Sequence, residues 1–344
     1  MNNSRKLTIA LDVMGGDKAP HSVLEGAELA LSECHNLHFI LYGESNAITA
    51  NLDKLPKLKN ASTVVHTESV ISADDKPSVA LRKGKESSMW LAINAAKEKL
   101  ADAVVSAGNT GALMAIAKLL LRTLPDIDRP AIAGLMPSKS GKFVMLDLGA
   151  NAECDSNNLL QFAIMGDAFA KAVLNVELPR IGLLNIGSED VKGNDTVKNT
   201  ATLLKEVDHL NFIGYVEGTD IVNEVADVIV ADGFTGNIAL KTAEGTADLC
   251  RAFMSNAFKS SWLSKLGYLM ARSALKNTFK RLDHRFYNGA MFVGLGGIVV
   301  KSHGSSDPIG SANAIKVAYQ LAFSGVNQRI IDELENTRLI KDHS

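Results

Sequence analysis

Cysteine is scarce and dispersed in this sequence. Its three residues, Cys34, Cys154 and Cys250, form no CxxC. Neither a zinc site nor a disulfide framework is suggested, and a reducing cytoplasm fits the chain best. The histidines show no HExxH or HxxxH spacing, which disfavours a zinc hydrolase, and no cluster marks any other metal. There is no GxSxG elbow for a serine acyl-hydrolase and no GxxxxGK(S/T) run for a nucleotide P-loop. No stretch approaches the roughly 20 apolar residues that cross a bilayer. Net charge is −2, and a general nucleic-acid binder needs a strongly basic surface. At the start, Arg5 and Lys6 precede LTIALDVMGGD. That apolar stretch is short, contains Asp12 and ends in glycines, so it reads as a first strand and its loop rather than a signal peptide.

What remains is an ordinary globular composition. The chain has 344 residues, 46% hydrophobic and 22% charged, enough to bury a large core. One grammar recurs: a short apolar run, a loop rich in Gly, Asn, Asp or Ser, then a helical pattern. The runs begin at LTIALDV (7–13), LHFILYG (37–43), STVVHTESVI (62–71), ADAVV (101–105), AIAGLMP (131–137), KFVML (142–146), RIGLL (180–184), NFIGYV (211–216), ADVIV (226–230) and MFVGLGGIVV (291–300). Apolar strands alternating with helices predict an α/β protein with a mainly parallel sheet covered on both faces. There is no linker and no repeat of fixed period, so residues 1–344 read as a single unit. Ligands of such sheets bind beyond the carboxyl ends of the strands, and all the Gly-rich loops are expected there.

VVSAGNTGALM (104–114) shows what those loops offer. Gly108 and Gly111 allow close backbone approach. The start of a helix supplies unpaired N–H groups and a partial positive charge for an anion, and Ser106, Asn109 and Thr110 add side-chain donors. The same loop could equally be a helix cap with tight packing. GSEDVKGND (187–195) places Lys192 and Gly193 before Asn194, and KSHGSSD (301–307) brings Lys301, His303, Gly304 and Ser305 onto one loop. Lysines suit phosphate or developing negative charge, and His303 suits proton transfer or loop orientation. Gly15, Gly16 and Asp17, then Asn151, then Asp232, Gly233 and Asn237 complete the candidate substrate and phosphate contacts. GLGGIV (294–299) begins like a dinucleotide fingerprint, but Val299 stands where the third glycine belongs.

From Leu249 to Leu282 there is no acidic residue, while seven are basic. Trp262, Leu266 and Leu269 recur at helical spacing, with Arg272, Lys276 and Lys280 among the charges. The segment at about 249–285 therefore reads as helical, amphipathic and basic. It fits an anionic membrane surface, an acidic protein partner, or two core-packed helices with basic polar faces.

Taken together and in order, LDVMGGDKAP, VSAGNTGALM, LDLGAN, NIGSEDVKGN, DGFTGN and GIVVKSHGSSD resemble the signature segments of bacterial phosphate acyltransferases, the acyl-acyl-carrier-protein:phosphate acyltransferases of phospholipid synthesis. The resemblance runs from Leu11 to Asp307. It implies transfer of a fatty acyl group from the thioester of acyl carrier protein to inorganic phosphate, giving acyl phosphate, with no cofactor. It implies a three-layer α/β/α fold like that of isocitrate and isopropylmalate dehydrogenases, and a homodimer. The expected location is the cytoplasm, with peripheral association on the inner face of the cytoplasmic membrane through residues around 255–280. A downstream glycerol-3-phosphate acyltransferase is a further partner the reading leaves open. One departure stands out: Asp155 and Ser156 occupy positions where members often carry Lys-Pro, which removes a positive charge. Lys192, Lys301, Asn194 and His303 are the catalytic candidates. The reaction needs no activated Ser or Cys, because phosphate is the nucleophile; it needs positioning and oxyanion stabilisation. Two other readings compete. One is a metal-dependent hydroxy-acid dehydrogenase using Asp227 and Asp232, against which the broken fingerprint counts. The other is a non-catalytic membrane scaffold, which leaves the glycine loops idle.

Overall fold

The fold comes from a computed structural model. It describes the backbone of residues 6–281 and 284–342, and their side chains except at 274, 276–281, 284, 286 and 338–342. In chain order the elements are β1 (Leu7–Asp12), α1 (His21–Ala30), β2 (Leu37–Gly43), α2 (Ser45–Leu52), α3 (Pro56–Asn60), β3 (Ser62–His66), α4 (Pro77–Lys83), α5 (Ser88–Lys97), β4 (Ala103–Ser106), α6 (Thr110–Leu121), β5 (Ala131–Pro137) and β6 (Lys142–Leu146). There follow α7 (Ser156–Leu174), β7 (Arg180–Leu184), α8 (Asp195–Lys205), β8 (Asn211–Val216), β9 (Val228–Val230), α9 (Gly233–Lys259), α10 (Trp262–Arg281), a 3-10 turn (His284–Tyr287), β10 (Ala290–Val293), β11 (Ile298–Lys301), α11 (Pro308–Ser324) and α12 (Val326–Asp342).

The near-continuous apolar runs form strands because both sheet faces are buried. Along β1, Leu7, Ile9 and Leu11 enter one core and Ala10 the other. The first core lies under α1, α7, α11 and α12, the second under α5 and α6, so the molecule is an α/β/α sandwich. The helices that follow the glycine loops start at polar caps. Asn109, Asn194, Asp232 and Asp307 each accept a backbone N–H from the first turn of α6, α8, α9 and α11, which satisfies donors that a helix start otherwise leaves unpaired. Asp155 does the same for α7 and completes a capping box with Asn158. That cap gives the residue departing from the family pattern a local structural role.

The sheet runs β3-β2-β1-β4-β11-β10-β5-β6-β9-β7-β8. Strands β1, β2, β3, β4 and β11 are mutually parallel, as are β6, β7, β8 and β9. Between the two sets, β10 is antiparallel to β11 and β5, and β5 is antiparallel to β6. Three reversals invert direction, so the two parallel sets point opposite ways. The glycine loops lie at the carboxyl ends of their own strands, as expected; the two sets run in opposite directions and end at nearly the same level, Lys301 level with Gly134 and Leu146 with Ala133, so their loops form two edges on either side of β10 and β5. GLGG separates two strands of opposite direction, and hydrophobic periodicity carries no direction.

Candidate active site

At the first edge, β1, β4 and β11 end in register: Asp12 pairs with Ser106, and Ser106 with Lys301. Asp12 is buried, and its oxygens accept hydrogen bonds from Ser88 Oγ and Ser106 Oγ, both at 2.6 Å. Burial raises its pKa, opposed by the two hydroxyls and the charge of Lys301. Ser106 Oγ in turn accepts the Gly108 N–H at 3.1 Å, so the carboxylate fixes the orientation of the loop from Ser106 to Gly111. Lys301 is largely enclosed. Its Nζ donates to the carbonyls of Ala107, at 3.3 Å, and Ser302. Burial pushes its pKa down to about 8, against the pull of Asp12 and Asp17.

The neighbouring loops interlock. Gly16 has φ +97°, and a Cβ there would lie 2.9 Å from both Ala107 Cβ and the Gly304 carbonyl. The Asp17 N–H donates to that same carbonyl at 2.8 Å. A Cβ on Gly15 would lie 2.5 Å from Asp12 Oδ2. His303 Nδ1 accepts from Ser305 Oγ at 2.9 Å and from its N–H, which leaves the ring proton on Nε2 when the imidazole is neutral. Asn288 holds this loop by donating to Ser302, Ser306 and Gly310 and accepting the His303 N–H. Asn109 caps α6 and donates to the carbonyls of Ala73 and Asp75 at 2.6 and 3.0 Å. Its side chain is spent on positioning, while Thr110 and Gly111 are exposed beside it.

At the second edge Asp147 plays the part of Asp12. Buried, it accepts N–H groups from Ile132, Ala150 and Asn151, and the Asn151 amide, at 2.7 to 3.0 Å. Burial raises its pKa, opposed by those donors. The Asn151 carbonyl accepts the Gly233 N–H at 2.8 Å. Asp232 caps α9 through Thr235. Lys192 is exposed, and Gly193, at φ +89°, packs against Asn185 so closely that a Cβ would fall 2.3 Å from its Oδ1. Within one chain, therefore, Lys301, His303, Gly304, Ser305, Gly15, Gly16, Asp17, Ser106, Gly108, Asn109, Thr110 and Gly111 come together. Lys192, Gly193, Asn194, Asn151, Asp232 and Gly233 lie at the other edge.

A cleft of about 380 Å³ joins the two regions. Thr110, Lys301, His303 and Gly304 line it from the first region and Asn237 from the second, together with β5 and with Leu240, Lys241 and Glu244 of α9. Sequence reasoning missed Asp12, Asp147 and Asn288. Asp12 had a visible signal, a carboxylate closing a wholly apolar strand ahead of two glycines.

Against this geometry, a family model described as fatty acid synthesis protein matches residues 7–329. The chain belongs to that family. Among curated relatives, the phosphate acyltransferase of Paramagnetospirillum magneticum is 51% identical over 337 residues, 97% of this chain and 96% of the relative. That of Rhodospirillum centenum is 54% identical over 332 residues, 96% and 94%. Membership at this identity makes the chain an enzyme of the phosphate acyltransferase class and sets aside the non-catalytic scaffold. The fold is shared with a phosphotransacetylase from Streptococcus pyogenes, TM-score 0.62 at 18% identity over 93% of this chain and 95% of that one. It is also shared with the EutD phosphotransacetylase of Staphylococcus aureus, TM-score 0.60 at 15% identity over 92% and 94%.

The basic amphipathic segment of this family member falls on the end of α9 and on α10. Trp262, Leu269 and Met270 are 72%, 63% and 84% exposed, and Leu266 and Arg272 are exposed as well. In a single chain these are not core-packed helices. The side chains of Lys276 and Lys280 lie outside the described residues. Among the described residues no helix is long and apolar enough to cross a membrane.

Proposed function

We propose that the protein transfers a fatty acyl group from the thioester of acyl carrier protein to inorganic phosphate. A phosphate oxygen attacks the thioester carbonyl, the C–O bond forms, the C–S bond breaks, and the proton of hydrogen phosphate passes to the departing thiolate. The products are acyl phosphate and the free carrier thiol. The observation that carries this reading is the row Asp12–Ser106–Lys301, whose lysine lines a largely apolar cleft, in a chain half identical to phosphate acyltransferases.

Lys301 supplies positive charge in a water-poor corner, where it acts on an oxyanion far more strongly than in bulk water. An ammonium has three N–H donors, and the Ala107 and Ser302 carbonyls use two. The first turn of α6 adds backbone donors beside Thr110. His303, with its proton on Nε2, is the proton carrier between phosphate and sulfur. Lys192 supplies a cation and Asn194 a positioning group from a second loop, and Gly15, Gly16, Asp17, Asn151, Asp232, Gly233 and Asn237 shape the loops around substrate. The exposed face of α10, with its basic residues, meets an anionic membrane or the acidic carrier. The working form is a homodimer.

Purified protein, palmitoyl-acyl carrier protein and inorganic phosphate, followed by mass spectrometry, test the reaction. Phosphate-dependent acyl phosphate is the expected product, and its absence overturns the reading. If Lys192→Ala and His303→Ala both keep wild-type turnover, the site assignment is wrong even where the reaction stands.

A further inference from the structure

We infer that the acyl tail lies along β5, under α9, and that Gly134 sets how long a tail the enzyme accepts. This rests on the acyl-transfer reading and adds where the chain goes and what limits it. Side chains of β5 alternate between faces, so Ile132, Gly134 and Met136 share the face beneath α9. Gly134 pairs with Met145 of β6. A Cβ on Gly134 would stand 3.7 Å from Ala290 Cβ and 2.7 Å from the tip of Leu148. On a face otherwise built from Ile132, Met136, Phe143 and Phe292, positions 134 and 290 form a notch.

The roof has the same character. Of its 27 residues only Gly233 and Gly236 are fully buried. A Cβ on Gly236 would come 2.0 Å from the Asp147 carbonyl oxygen, and one on Gly233 2.5 Å from that of Asn151. The helix is pinned to the sheet at its first turn and stands off beyond it. There Ala243 and Ala247 face the cleft among the longer Leu240, Lys241 and Glu244, and Lys241 Nζ is held by Glu244 at 2.7 Å.

Protein interiors are otherwise close-packed. A 380 Å³ cleft in which Gly134 and Ala290 lower the floor and Ala243 and Ala247 lower the roof has room for a ligand. The lining selects its chemistry. Lys301, His303 and Asn237 supply polar groups, and Lys241 and Glu244 pair with each other. Ile132, Leu135, Met136, Leu148 and Leu240 make the lining mostly apolar. From Ile132 to Met136 the strand runs about 13 Å, which matches an extended polymethylene chain rather than a two-carbon group. An acyl chain whose head lies at the first edge must pass Gly134.

The test compares hexadecanoyl- and butanoyl-acyl carrier protein as donors to phosphate in wild type, Gly134→Ala and Gly134→Val. The ratio of kcat/KM for the long donor over the short one is expected to fall at least tenfold in Gly134→Val and less in Gly134→Ala. Leu148 can yield at its flexible end, and a β-branched residue suits a strand. Ala247→Leu, which fills the cleft from the opposite wall, is expected to lower the same ratio and serves if Gly134→Val does not fold. Binding of cis-parinarate, a fluorescent fatty acid, gives a readout independent of turnover and is expected to weaken tenfold in the same variants. An unchanged ratio, whether both donors fall together or neither does, overturns the placement while leaving acyl transfer standing. Wild-type protein that makes acyl phosphate from neither donor overturns the acyl-transfer reading, and this one with it.

Discussion

An ammonium buried beside carboxylates is subject to two opposing effects. Desolvation disfavours its charge and the carboxylates favour it. For Lys301 burial prevails, and its pKa falls to about 8. Between about 8 and the ordinary lysine value the folded chain binds fewer protons than the unfolded one, so this group's contribution to stability increases with pH across that window. Phosphate binding runs the other way, because the cation is present below about 8 and lost above it. The KM for phosphate is therefore expected to rise several-fold between pH 7 and pH 9.5. In Lys301→Met it should be roughly 30-fold higher at pH 7, as for a lost charge-assisted contact of about 2 kcal/mol, and flat with pH. Initial rates against phosphate concentration across that range check both. Asp12 makes a second prediction. Asp12→Ala strands the Ser88 and Ser106 hydroxyls and leaves Lys301 without its nearest carboxylate. A loss of about 3 kcal/mol in urea unfolding is expected, together with lower turnover. Lys301 and His303 were legible from residue type and loop. Asp12 was read only as a break in an apolar run, because a sequence does not show that three strand ends share one register position.

Among the elements, those with both faces buried were the most legible. Strands Leu37–Gly43 and Ala131–Pro137 fall on the residues the apolar pattern marks, since a strand buried on both sides has no polar alternation to blur its ends. The apolar pattern at 62–71 predicts one strand, but pairing ends at His66. The segment 249–282 was legible as amphipathic, but not as uncovered, because composition does not say whether an apolar face has a partner. Its exposure leads to a prediction for the element. Leu266→Asp with Met270→Asp should leave the melting temperature within about 2 °C of wild type, since exposed substitutions cost little. The same pair should strongly reduce sedimentation with anionic vesicles. Arg272→Glu should lower that binding further at low salt than at high salt. Vesicle binding that survives all three changes would remove α10 from membrane docking.

Across the whole molecule, the reversed strands β5 and β10 separate two loop clusters that the sequence presents as one series. Lys301 ends β11 and Lys192 follows β7, with β10, β5, β6 and β9 between those strands. Five strand spacings amount to roughly 24 Å between the ends of β11 and β7. Residues this far apart with no shared partner contribute additively to a free energy, within about 0.5 kcal/mol. A double-mutant cycle on kcat/KM for phosphate follows: Lys192→Ala, Lys301→Met and the combination. In a chain acting alone, the double variant is expected to lose the product of the two single losses. If it loses no more than the worse single variant, the two lysines meet at one transition state. They would meet either by closure of the two loops within one chain or because the Lys192 loop of a second copy reaches the Lys301 edge. Repeating the cycle on dilution to where native mass spectrometry detects only monomer separates the cases. Coupling that disappears with the dimer belongs to the assembly, and additivity at every concentration means each chain carries a complete site at its own first edge.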